Sequence, residues 1–180
     1  MIKLNPKDIR FLIIHHTGTS RDRTTFEAIK RNHIVKGFLD VGYHYLITAD
    51  GILHKGRDEG FVGVHARALS NGISMNRQSL GICLTGNFEV ETPTDNQIAT
   101  LEGILNDKRA EYGVVRTNVL GHFEIPHATA CPGRNLMPFI RTYRAGQSQS
   151  KDRQKLINSI KQKIESLKKR ILEIKGRKSI

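Results

Sequence analysis

The run Phe11-Leu-Ile-Ile14 is apolar without a break and ends in His15, so a short buried strand is predicted to deliver an imidazole at its C-terminal end. Open α/β sheets place their sites at that end of their strands. The residues that complete a ligand set with His15 come far along the chain, in Gly121-His-Phe-Glu-Ile-Pro-His-Ala-Thr-Ala-Cys-Pro-Gly133, which holds His122 and Cys131. A chain that uses all three must fold so that the two ends of one domain meet. Two imidazoles and a thiolate suit zinc, and three protein ligands leave a fourth place for a water whose pKa falls to about 7. Structural zinc is normally closed by four protein ligands, so this set reads as a hydrolase.

The stretch between the two halves of that set alternates strand and helix signals. Thr24-x-x-Glu27 is read as a capping box opening a helix to about Lys36, stopped by Gly37. His44 to Ala49, the turn Asp50-Gly51 and Ile52 to Lys55 are predicted to form a hairpin, and Leu80 to Thr85 a central strand. Thr94-x-x-Gln97 caps a helix through about Tyr112, with Ile98, Leu101, Ile104 and Leu105 at helical spacing and Gly113 ending it. Val119-Leu120 is a short strand feeding His122, residues 123–133 are loop, and Asn135 is expected to cap a last helix through Tyr143. The predicted class is α/β, a mixed central β-sheet flanked by helices.

Charge separates a different segment. The chain carries a formal net charge of +12, yet residues 151–180 hold eleven Lys and Arg against three Asp and Glu. Residues 1–144 are expected to form the domain, 145–152 a polar linker, and 153–176 a basic amphipathic or coiled-coil helix. Ile157, Ile160, Ile164, Leu167, Ile171 and Ile174 step by 3, 4, 3, 4, 3. That seam fits a helix docked on the domain, a homo-oligomer formed through residues 157–174, or a helix bound to an anionic envelope surface. No specific nucleic acid is expected as a partner, because the basic run lacks interleaved aromatics. No apolar run is long enough for a transmembrane helix, and Met1-Ile-Lys-Leu-Asn-Pro-Lys-Asp8 lacks an apolar signal core, so a cytoplasmic location is expected. Of the two cysteines, Cys83 lies in an apolar run and reads as a buried small hydrophobe.

Leu39-Asp-Val-Gly-Tyr-His-Tyr-Leu-Ile47, Val62-Gly-Val-His-Ala66, Ser79-Leu-Gly-Ile-Cys-Leu-Thr-Gly86, Ile13-Ile-His-His-Thr17 and Ala130-Cys-Pro132 occur in one order over roughly residues 10–144. Together they resemble the zinc-dependent N-acetylmuramoyl-L-alanine amidases and peptidoglycan-recognition proteins, most of all small phage endolysins. The resemblance implies Zn2+ on His15, His122 and Cys131, with Cys131 a ligand and not a nucleophile. It implies a catalytic role for Tyr43, over the metal, and for Thr129, where the best-known phage amidases carry lysine. It also implies substrate contacts from His65 and Arg57. Some relatives carry a glutamate where this chain has Cys83. His16 is expected on the opposite side of its strand from His15, and His33, His44, His54 and His127 are candidates only for orienting a ligand.

The function implied is hydrolysis of the amide between N-acetylmuramic acid and L-alanine in peptidoglycan, by an endolysin held in the host cytoplasm until its release onto the wall. The alternatives are a peptidoglycan-binding module that does not cut, which typically lacks the cysteine ligand, and a cytoplasmic amidase that recycles muropeptides.

Overall fold

The computed structural model describes residues 1–126, 128–146 and 160–168. The chain divides into two units, Met1–Gly146 and Gln147–Ile180. The first unit is built on strands β1 (Phe11–His16), β2 (Tyr45–Ile47), β3 (Leu53–Lys55), β4 (Leu69–Ser70), β5 (Ile73–Ser74), β6 (Ser79–Leu84) and β7 (Val119–Gly121), with helices α1 (Phe26–Val35), α2 (Asp95–Tyr112) and α3 (Met137–Arg144). Five strands form one sheet in the order β3-β2-β6-β1-β7, and β4 and β5 form a separate hairpin. All neighbours in the large sheet are parallel except β2 with β3. This is the mixed sheet flanked by helices that the alternating signals predict.

Side-chain parity along β1 and β6 decides what each face does. Leu12 and Ile14, with Leu80, Ile82 and Leu84, join the main core with Leu101, Leu105, Phe139 and Ile140 from α2 and α3. The odd-numbered residues turn to the other face, where Ile13 packs with Ala66, Met75 and Ile125. In register, Ile13 lies opposite Gly81 and His15 opposite Cys83. His15 thus shares its face with a glycine and a thiol, whereas His16 turns away and accepts a hydrogen bond from Phe88 N through Nδ1.

Local signals place most elements and mislead at two helix starts. The Thr94/Gln97 capping box of α2 is present, and Gly113 ends the helix at φ +67°, a conformation that costs glycine little. Gln97 is fully buried and also donates through Nε2 to Thr85 O at 2.8 Å, so the first turn of α2 is tied to the C-terminal end of β6. The cap of α1, however, is Thr25, whose hydroxyl accepts from Ala28 N. Thr24 instead donates to Ser20 O, being drawn into the preceding loop. Likewise α3 starts after Leu136 with no side-chain cap. Asn135 faces the 88–91 loop, donating through its backbone N to Phe88 O and through Nδ2 to Glu91 O.

In the second unit, residues 160–168 are helical. Ile160, Ile164 and Leu167 are about half exposed, and Lys168 pairs with Glu165 at 2.8 Å. Ile157, Ile171 and Ile174 of the proposed seam lie outside the described residues. Among the described residues, no helix is long and apolar enough to cross a membrane.

Candidate active site

His15 arrives at the end of β1, and His122 opens a 3-10 turn directly after β7, the strand paired with β1 on its other side. That turn is held by Glu124, whose carboxylate accepts from Gly121 N at 2.8 Å and from Arg144 Nη2 at 2.7 Å. Cys131 comes from the following loop, and Thr129 Oγ1 accepts its backbone N–H at 3.1 Å, closing the turn that presents the sulfur. One donor atom from each of His15, His122 and Cys131 lies within 4.8 Å of the others. His15 Nδ1 and Cys131 Sγ are 3.6 Å apart. A tetrahedral ion with bonds of about 2.0–2.3 Å needs donors about 3.3–3.8 Å apart, so the three residues fit a metal ion with minor closing movements. His15 is buried while His122, Cys131 and Tyr43 are half-buried, so the cluster lies where the core meets the surface.

The electrostatics favour ligands in the right protonation state. Burial, then the neighbouring imidazoles of His65 and His122, hold His15 well below the usual histidine range, so it is neutral with a lone pair to offer. Burial pushes the Cys131 thiol up to about 12, partly opposed by the His16 backbone N–H, which points at Sγ from 3.4 Å. A thiol so placed loses its proton on binding a metal cation and not before. Burial, followed by the nearby Cys83 and Cys131 sulfurs, raises the Tyr43 phenol well above its ordinary value and keeps it a neutral donor. Its ring lies 5.1 Å from that of His15.

The structure buries both residues expected to contact substrate. His65 does not line an open groove: it is buried behind His15, with Nδ1 3.1 Å from His15 Nε2. Its backbone and that of Ala66 are fixed by two hydrogen bonds to Asn76 Oδ1. Gly81 makes the room, because a Cβ there would sit 2.5 Å from the His65 ring. Arg57 is buried too, and its guanidinium donates to the carbonyls of Val41, Val62 and Asp40. It staples the segment before Tyr43 to the 57–62 turn, so its charge serves packing.

The structure also gives places to residues that the sequence assigned no part in the ligand set. Cys83, fully buried as expected, shares the site face with His15, and its thiol donates to Leu84 O at 3.7 Å. His44 stands behind His65 with ring centroids 5.6 Å apart. Gly81 N donates to its Nδ1, so Nε2 carries the proton that goes to Phe61 O. The parity of Gly81 and Cys83 against Leu80, Ile82 and Leu84 was the available signal for this face. His33 accepts from Gly42 N and lies with its ring 5.5 Å from that of Tyr43, while His54 stacks on Phe26; His127 lies outside the described residues.

Fold and site together define an α/β enzyme domain with a cluster of two imidazoles and a thiol, able to hold a metal ion, at the C-terminal edge of parallel strands. Residues 5–134 match the family model described as N-acetylmuramoyl-L-alanine amidase, and the chain belongs to that family. It is similar to peptidoglycan-recognition protein SC2 of Drosophila melanogaster, 31% identical over 143 residues that cover 75% of this chain and 74% of that protein. It is also similar to the endolysin of Enterobacteria phage K11, 32% identical over 63% of this chain and 73% of the phage protein. Among solved structures, the endolysin N-acetylmuramoyl-L-alanine amidase LysCS from Clostridium intestinale URNW superposes with a TM-score of 0.67 at 26% identity, covering 82% of this chain and 90% of that one.

Proposed function

We propose that this chain hydrolyses the amide joining N-acetylmuramic acid to L-alanine in peptidoglycan, with zinc held by His15, His122 and Cys131, as a phage or prophage endolysin acting in host-cell lysis. The observation that carries the reading is the gathering of two imidazoles and one sulfur within 4.8 Å at a half-open edge of the sheet. When bound, zinc supplies an activated water and polarises the scissile carbonyl. The surrounding groups then have distinct tasks. His65 accepts the Nε2 proton of His15 and so directs the Nδ1 lone pair toward Cys131 and His122. The His16 N–H stabilises the thiolate. Tyr43, kept neutral by burial, donates a hydrogen bond to the oxyanion that develops as the amide carbon becomes tetrahedral. Thr129 holds the turn that aims Cys131.

A second reading, a module that binds peptidoglycan without cutting it, draws support from the similarity to peptidoglycan-recognition protein SC2. The presence of Cys131 beside both histidines argues for cleavage. The deciding experiment is the mass analysis of muropeptides released from purified peptidoglycan by wild type, Cys131→Ala and chelator-treated enzyme. Release of stem peptide from intact glycan by wild type alone supports the zinc amidase. Binding to the sacculus without release replaces it with the recognition module.

A further inference from the structure

Beside the cluster of His15, His122 and Cys131 lies a concavity of about 300 Å³, edged by Thr129 and Ala130 of the loop that carries Cys131. Its apolar surface comes from Phe123, which is 39% exposed, and from Met137, and its charges from Glu89, Arg134 and Arg141. Two of those charges cancel. Glu89 accepts from Arg134 N at 2.8 Å and from Arg134 Nε at 3.1 Å. The nearby Glu124 is taken as well, by Arg144. Arg141, exposed on the last turn of α3, has no ion pair among the described residues. The cavity therefore presents one uncompensated guanidinium over a small apolar floor, one residue from a metal ligand.

We propose that this cavity is a subsite for a free carboxylate on the stem peptide of the substrate, bound by Arg141. The inference rests on the amidase reading above and names what that site selects. A guanidinium offers a planar fork that matches a carboxylate at two points, whereas a neutral glycan hydroxyl gives it no charge to pair with. Phe123 and Met137 suit the short aliphatic link that carries such a carboxylate. Reach is also suitable: two residues of extended peptide span about 7 Å. A peptide whose first amide bond lies over the cluster therefore brings the α-carboxylate of its second residue to a cavity that begins at Ala130.

The test uses the full chain and two synthetic muramyl peptides that differ only in whether the second residue's α-carboxylate is free or amidated. Wild type is expected to show a KM about tenfold lower for the free carboxylate, as a charge-assisted hydrogen bond on a partly exposed site allows. Arg141→Gln raises the KM for the carboxylate substrate to that for the amide, and Arg141→Lys recovers part of the difference. Equal cleavage of both peptides by wild type, or a preference that survives Arg141→Gln, overturns the subsite and leaves the amidase reading standing. Cleavage of neither peptide by wild type overturns both.

Discussion

Replacing His65 by leucine isolates the imidazole behind the ligand from the ligand itself. In the metal-bound protein His15 must give its Nδ1 lone pair to the ion, so its proton sits on Nε2 and is donated to His65 Nδ1, 3.1 Å away and buried. Leucine keeps an apolar side chain of similar volume in the space left by Gly81 but offers no acceptor. An unpaired buried donor costs about 1–3 kcal/mol, which at about 1.4 kcal/mol per tenfold is about a 5- to 150-fold weaker metal affinity. Without metal, His15 is free to adopt the other tautomer, so the penalty falls mainly on the bound form. Competition against a chromophoric chelator reads the zinc affinity directly, and the metal-induced rise in Tm shrinks in parallel. His65→Asn, whose Oδ1 falls close to where Nδ1 stood, is expected to restore most of the affinity. A zinc affinity within twofold of wild type for a folded His65→Leu protein refutes the relay.

Other consequences can be measured separately. Because Cys131 is protonated before metal binds and His15 is already neutral, zinc binding near pH 7.5 is expected to release one proton from the thiol and most of a second from the metal-bound water, about one to two in all, read as the dependence of calorimetric enthalpy on buffer, and Cys131→Ser is expected to lower that number by about one; an unchanged number contradicts the thiol assignment. Tyr43→Phe is expected to lower kcat by about 10²–10³ with zinc affinity unchanged, since it removes a donor to the oxyanion and not a ligand; a kcat near wild type sinks that role. His44 titrates at about 4 because burial disfavours the charged ring, against about 6.5 in the unfolded chain. In that window the unfolded chain takes up a proton that the folded one refuses. Stability is thus complete above about pH 6.5 and falls by as much as about 3 kcal/mol toward pH 4, with buried His15 and His65 acting in the same direction. Urea titrations at pH 7 and 4.5 check the sign. Gln97→Leu removes the side-chain half of the capping box, the bond from Thr94 N to Oε1, together with the bond to Thr85 O, and is expected to lower unfolding free energy by about 2–3 kcal/mol with the urea m-value unchanged; a loss below half of that means water takes over those partners.

The amino-acid sequence by itself determined the elements whose signals are local. The apolar run before His15, the Thr94/Gln97 box with Gly113 beyond it, and the Asp50-Gly51 hairpin each depend on neighbours within a turn or two, and each appears where its residues predict. That His15, His122 and Cys131 come together was legible as well, through the ordered motifs around them that resemble a known family. Local chemistry failed where a distant partner competed for the same side chain. Thr24 is drawn to Ser20 and Asn135 to the 88–91 loop, leaving the caps of α1 and α3 elsewhere. Arg57 and His65 could be given no correct role without the fold, since burial, not residue type, turns one into a staple and the other into an orienting base. Only the tertiary structure decided which side chains share the face of His15. That follows from the register of β1 with β6, where one residue of slip exchanges Gly81 and Cys83 for Leu80, Ile82 and Leu84 and closes the space in which His65 stands.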